Sequence, residues 1–182
     1  MLIAALVLLA TTSCAPNETG QPPPADQQRL SPPVLIPKDA RGVKQCDALT
    51  AEQVRALGGN PDSADLVDDD FALNPACSWR ASDDRWGMSI ALVTDPAVDG
   101  LERLYLNQDR GAFDLFEPFE LGGHPAVRAE PEVRPDCGVS IGLANTQVAD
   151  IAVTQRGESI DTCELAKRAG LALLSNLPPL ER

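Results

Sequence analysis

Residues 116–129, FEPFELGGHPAVRA, hold two short apolar runs, Phe116–Leu121 and Pro125–Ala129, on either side of Gly122-Gly123. Tight hairpin turns need positive φ at their central residues, which glycine supplies without steric cost, so this pattern predicts a β-hairpin. A connection this short joins antiparallel strands only.

Working outward, Cys137–Leu143 and Val148–Gln155 predict two more strands that turn near Asn145. Upstream, residues 76–82 and 86–93 predict a strand pair joined through Asp83-Asp84-Arg85, with Met88, Ile90 and Leu92 alternating toward one face. Between these groups, Leu101, Leu104 and Tyr105 have helical spacing within residues 97–110. A first helix is expected from Ala51 to Leu57, where Thr50 and Gln53 form a capping box, Leu49 and Val54 a hydrophobic staple, and Gly58 the C-terminal stop. A last helix opens on the Asp161 and Glu164 pair, carries Cys163, Ala166, Gly170, Leu173 and Leu177 on one stripe, and ends at Pro178-Pro179. The order α-β-β-α-β-β-β-β-α predicts an α+β domain, an antiparallel sheet with helices packed on it.

The N-terminal part reads differently. Leu2–Ala10 is an apolar run of signal-peptide length, too short to cross a membrane as a helix. Thr11-Thr12-Ser13-Cys14 follows it and looks like a bacterial lipobox, with Thr11 where a Leu is usual and no Lys or Arg ahead of the apolar run. Residues 1–14 are therefore expected to be a lipoprotein signal segment, with Cys14 acylated by palmitate-type chains. Residues 15–45 carry seven prolines among Gln, Asn and Asp and are expected to be a disordered tether. The globular domain then spans residues 46–182.

Cys46, Cys77, Cys137 and Cys163 make an even number in an exported chain, the composition of a disulfide framework. A zinc site would need closer spacing, and the chain has a single His. Four cysteines allow three connectivities; Cys46 with Cys77 and Cys137 with Cys163 is the preferred one, each closing a loop of about 25 to 30 residues. The 27 acidic and 15 basic residues give a net charge of -12, which sets the chain against nucleic acid as a partner.

These features together, a lipobox, a Pro-rich tether, Cys46 before the Leu49-Thr50 helix start, Cys77-Ser78-Trp79, the Gly122-Gly123-His124-Pro125-Ala126 hairpin, Cys137-Gly138-Val139 and Cys163 in a final helix before Leu177-Pro178, resemble the actinobacterial lipoprotein family catalogued as domain of unknown function 3558. The resemblance implies a lipid-anchored protein on the outer face of the cell membrane and carries over no active site.

Candidate site residues are few. His124 stands among turn residues without a nucleophile partner and is expected to be an exposed hairpin residue. Asp68, Asp69 and Asp70 lack the alternating spacing and central Gly of a calcium loop and are expected to be a solvated acidic loop. Trp79 is assigned to the core, whereas Trp86, beside Asp83, Asp84 and Arg85, is the candidate binding surface. No catalytic, metal or cofactor motif is found. The expected function is a non-enzymatic binding or adaptor module that contacts an envelope protein or a small ligand. The alternative is an envelope hydrolase using carboxylates that carry no recognisable pattern.

Overall fold

The computed structural model describes residues 29–68, 74–132 and 136–181. Within them, seven strands form one antiparallel sheet: β1 (Gly59–Val67), β2 (Ala76–Ala81), β3 (Trp86–Val93), β4 (Leu115–Leu121), β5 (His124–Glu130), β6 (Cys137–Ala144) and β7 (Gln147–Gln155). Their spatial order is β1-β2-β3-β7-β6-β5-β4. Three helices accompany them: α1 (Ala51–Ala56), α2 (Glu102–Asp109) and α3 (Thr162–Asn176). The α+β class is as expected, with one strand more than the six read from sequence. The additional strand, β1, contains Pro61, Asp62 and Asp65 instead of an apolar alternation, and its pairing with β2 shifts register between Asn60 and Asp65. A bulge at an edge is where a proline can sit in a sheet.

The glycine hairpin forms as predicted. Gly122 and Gly123 adopt φ of 59° and 82° and close the Leu121–His124 pair of β4 and β5. Helix α1 carries the full capping box: the Thr50 hydroxyl accepts from the Gln53 backbone N–H at 3.2 Å, and the Gln53 side chain accepts from the Thr50 N–H at 2.8 Å. The Asp161 carboxylate caps α3 by accepting from the Glu164 N–H at 2.8 Å.

One face of the sheet builds the main core. Met88, Ile90, Val139, Ile141, Ile151 and Val153 are buried there under Ala166, Ala169 and Leu173 of α3, with Val54 of α1 in the same cluster. Each large aliphatic side chain removed from water in this way contributes roughly 1.5 to 3 kcal/mol. Helix α3 comes so close that a Cβ on Gly170 would lie 2.6 Å from Cδ1 of Ile141. A smaller cluster on the opposite face, Val93, Leu101, Leu104, Val127 and Val148, seats α2 over one end of the sheet.

Both disulfides follow the preferred pairing. Cys46–Cys77 fixes the 3-10 turn at Gln45–Asp47 to β2, and Cys137–Cys163 fixes the start of β6 to α3, with Cα separations of 4.9 and 5.1 Å.

The expected tether boundary at residue 45 is corrected, because residues 29–45 lie on the domain as a strap. Leu30 and Ser31 donate backbone hydrogen bonds to the Glu102 carboxylate, both at 2.8 Å. Lys38 donates to the Leu143 carbonyl, Asp39 to that of Pro178, and Leu180 in turn to that of Pro37. Prolines did not prevent this, since a strap that bonds through isolated N–H groups needs no continuous ladder. Residues 1–28, which contain Cys14, fall outside the described residues. Among the described residues no helix is long and apolar enough to cross a membrane.

Candidate functional site: the open face of the sheet

Strand alternation sends Gly87, Ser89 and Ala91 of β3 to the face opposite Met88 and Ile90. In register with them lie Arg80 and Ser78 of β2 on one side, and Thr154, Ala152 and Asp150 of β7 on the other. Gly138 and Ser140 of β6 extend the same rows. Among the described residues, helix α2 covers only the far end of this face and leaves the rest open. Along β7, Ala149, Ile151 and Val153 are buried, whereas Asp150 is half-buried and Ala152 and Thr154 are exposed. The floor is paved by small residues, and it holds two adjoining depressions. One, of about 350 Å³, lies over Ser78, Ser89, Gly87 and Thr154 between Arg80 and Arg156. The other, of about 240 Å³, lies over Ala91, Gly138 and Ser140 beside Arg103.

The charges on this face differ in how they are held. Arg103 of α2 forms an ion pair with Asp150, which also accepts from the Ser140 hydroxyl, so Asp150 is committed within the protein. Arg80 and Arg156 have no ion-pair partner among the described residues. Arg156 lies across Gly87: a Cβ there would sit 3.1 Å from its Nε and 3.1 Å from Oγ1 of Thr154. Glycine at position 87 therefore makes room for a guanidinium against the sheet.

Elsewhere, the carboxylates with shifted acidity are all shifted downward. Hydrogen bonds from the Arg41 guanidinium hold Asp39 far below the usual carboxylate range, and those of Arg85 lower Asp83. Burial opposes the charge on Glu102, yet the Ser31 side chain, the Leu30 and Ser31 N–H groups and the nearby Arg29 outweigh it, and the net shift is down. None of these three carboxylates faces another across a depression, the arrangement a hydrolase reading asks for. Glu130, Cys137 and Cys163 are the group of potential metal ligands among the described residues, but both sulfurs are committed to one disulfide.

The residues singled out from sequence fall elsewhere. Trp79 is buried, as expected. Trp86 is corrected from surface candidate to core: it is 5 % exposed and shares the inward parity of Met88 and Ile90. His124 is corrected too, from exposed turn residue to a side chain 2 % exposed whose Nδ1 donates to the Gly142 carbonyl at 2.9 Å. Asp68 is exposed after β1, while Asp69 and Asp70 lie outside the described residues. Arg80, Arg156 and the hydroxyl floor were not anticipated, although the small residues interleaved with Met88, Ile90 and Leu92 carried the signal.

No curated protein and no solved structure matches the chain. The family described as protein of unknown function (DUF3558) matches residues 9–176, and the chain belongs to that family.

Proposed function

We propose that this protein is an extracytoplasmic, lipid-anchored binding module that uses the open face of its sheet, on the outer side of an actinobacterial cell membrane. The observation that carries the binding reading is the floor of small residues on this face, buried Gly87, half-buried Ser89 and Ala91 and exposed Ala152, over which two depressions lie. Small side chains leave a concave surface where a partner or ligand can lie close to the backbone. Two features of the sequence support the anchor: the apolar run Leu2–Ala10 and the lipobox-like Thr11–Cys14, with Cys14 inside the family match that begins at residue 9. A tether between Cys14 and the strap lets the domain search the space near the membrane, which raises its effective concentration toward anything held there.

The test is site-specific photocrosslinking in cells. A photoreactive side chain at Ser89 of the anchored full chain is expected to trap one dominant adduct, absent when the same group replaces Arg110. With Cys14→Ser the protein is expected to leave the membrane fraction. Equal trapping at both positions, or none at Ser89, would remove the binding reading.

A further inference from the structure

The depression between Arg80 and Arg156 joins two arginines with a floor of hydroxyls. In a chain of net charge -12, two arginines line one hollow, and neither is ion-paired to Asp65 at its rim or to any other carboxylate among the described residues. Arg80 and Thr154 flank Gly87 in register, and Arg156 is laid over that glycine, so both arginines border the same hollow. Ser78 and Ser89 stand in the next row of the same floor. We infer that this hollow is a binding site for a phosphate monoester of a small polyol.

The argument rests on matching donors to acceptors. Two guanidinium forks offer a double positive charge and many N–H donors, which suits a group bearing nearly two negative charges and three terminal oxygens better than a single carboxylate. The Ser89 hydroxyl can donate and accept, Ser78 and Thr154, whose protons go to the Asp65 and Gly87 carbonyls, offer lone pairs to ligand hydroxyls, and the Asp65 carboxylate at the rim is a further acceptor. Its volume of about 350 Å³ is at the lower end of those that hold small ligands.

This inference rests on the binding reading above, and it names the ligand class. A phosphate monoester can be free in solution or carried by a lipid, so the test has two arms. In the first, the full chain is titrated with glycerol 3-phosphate and with glycerol, followed by calorimetry and by the backbone amide signals of Gly87 and Ser89. Saturable binding is expected with the phosphate, at least tenfold tighter than with glycerol and weakening as salt is raised. In the second, the full chain is held in nanodiscs of phosphatidylcholine with or without phosphatidic acid, and the same amides are followed. Shifts in the first arm assign a soluble ligand, and shifts confined to the second assign a lipid headgroup. Arg80→Gln and Arg156→Gln are each expected to weaken binding tenfold or more, and Gly87→Ala to do so by displacing Arg156. Arg110→Gln, which removes the same charge elsewhere, is expected to leave binding unchanged, and thermal melting confirms that each variant is folded. If neither arm shifts Gly87 and Ser89, or if Arg110→Gln weakens binding as much as Arg156→Gln, the phosphate site is overturned. Crosslinking at Ser89 would still succeed in that case if the open face binds something else, so the two readings fail separately.

Discussion

Glu102 holds the N-terminal strap. Its carboxylate is 5 % exposed and accepts the N–H groups of both Leu30 and Ser31, so loss of its charge leaves those donors with a weaker partner. Hydrogen bonds to a charged group contribute about 1.5 to 3 kcal/mol, and Glu102→Gln is expected to lower stability by that order at pH 7. Because the folded acidity is shifted down, this stabilisation is complete above the unfolded carboxyl range near pH ~4.3 and is lost as pH falls through the lower folded value. Urea unfolding of the two proteins at pH 7 and at pH 2.5 should therefore show a gap that closes in acid, with faster amide exchange at Leu30 and Ser31 in the variant. Trp86 yields a second expectation at this scale. Buried against Gly59, whose added Cβ would lie 3.1 Å from its ring, it belongs to the core, and Trp86→Ala should cost about 3 to 5 kcal/mol in a denaturant titration. The placement of Trp86 was legible from its parity with Met88, Ile90 and Leu92. The neighbouring Asp83, Asp84 and Arg85 misdirected the reading because they belong to the preceding turn, not to the strand. His124 misled for a similar reason: the turn ends at Gly123, and the next residue is already paired within β5.

At the scale of elements, both edges of the sheet carry a proline, Pro61 in β1 and Pro118 in β4. An edge strand offers unpaired N–H and C=O groups to other chains, and proline removes a donor from that row. Pro118→Val is expected to keep the fold while increasing self-association, measured by light scattering against concentration; an unchanged monomer would show that Pro118 has no protective part. Elements with local signals were legible from sequence: the Gly122-Gly123 turn, the Thr50 and Gln53 capping box, and the apolar stripe of α3. Helix α2 begins later than its spacing suggested, at Glu102, because Pro96–Val98 forms a separate 3-10 turn and Asp99 breaks it with φ of 60°. Strand β1 was not legible because its pairing with β2, and not its own composition, makes it a strand. The strap shared that fate, since its bonds go to Glu102, Leu143 and Pro178, all distant in sequence.

Over the whole molecule, the sheet consists of two antiparallel runs, β1-β2-β3 and β7-β6-β5-β4, joined by the pairing of β3 with β7. Each disulfide ties one run to an element outside the sheet, Cys77 of the first to the turn at Cys46 and Cys137 of the second to α3 at Cys163, so neither links the two runs directly. The join relies on direct pairs such as Ile90 with Ile151, both fully buried, and on the contact of α1 with α3, where Gln53 and Asn176 exchange hydrogen bonds. Ile90→Val and Ile151→Val should each cost about 0.5 to 1.5 kcal/mol, and because the two side chains meet, the double variant should depart from additivity by at least about 0.5 kcal/mol. Equilibrium unfolding of the four proteins measures this; strict additivity would show that the two side chains do not couple across the join. The layered α+β plan was legible from element order, whereas the open face was not, because how far α2 reaches across the sheet depends on tertiary placement.

The bridge between Lys38 and Pro179 has a mechanical side. Pro37, Lys38 and Asp39 of the strap run beside Pro178 and Leu180 of the C-terminal tail and exchange backbone bonds with it. A pull applied at residue 29 is expected to peel the Glu102 latch first and to load this two-stranded clasp next, so the strap should yield in stages before the sheet does.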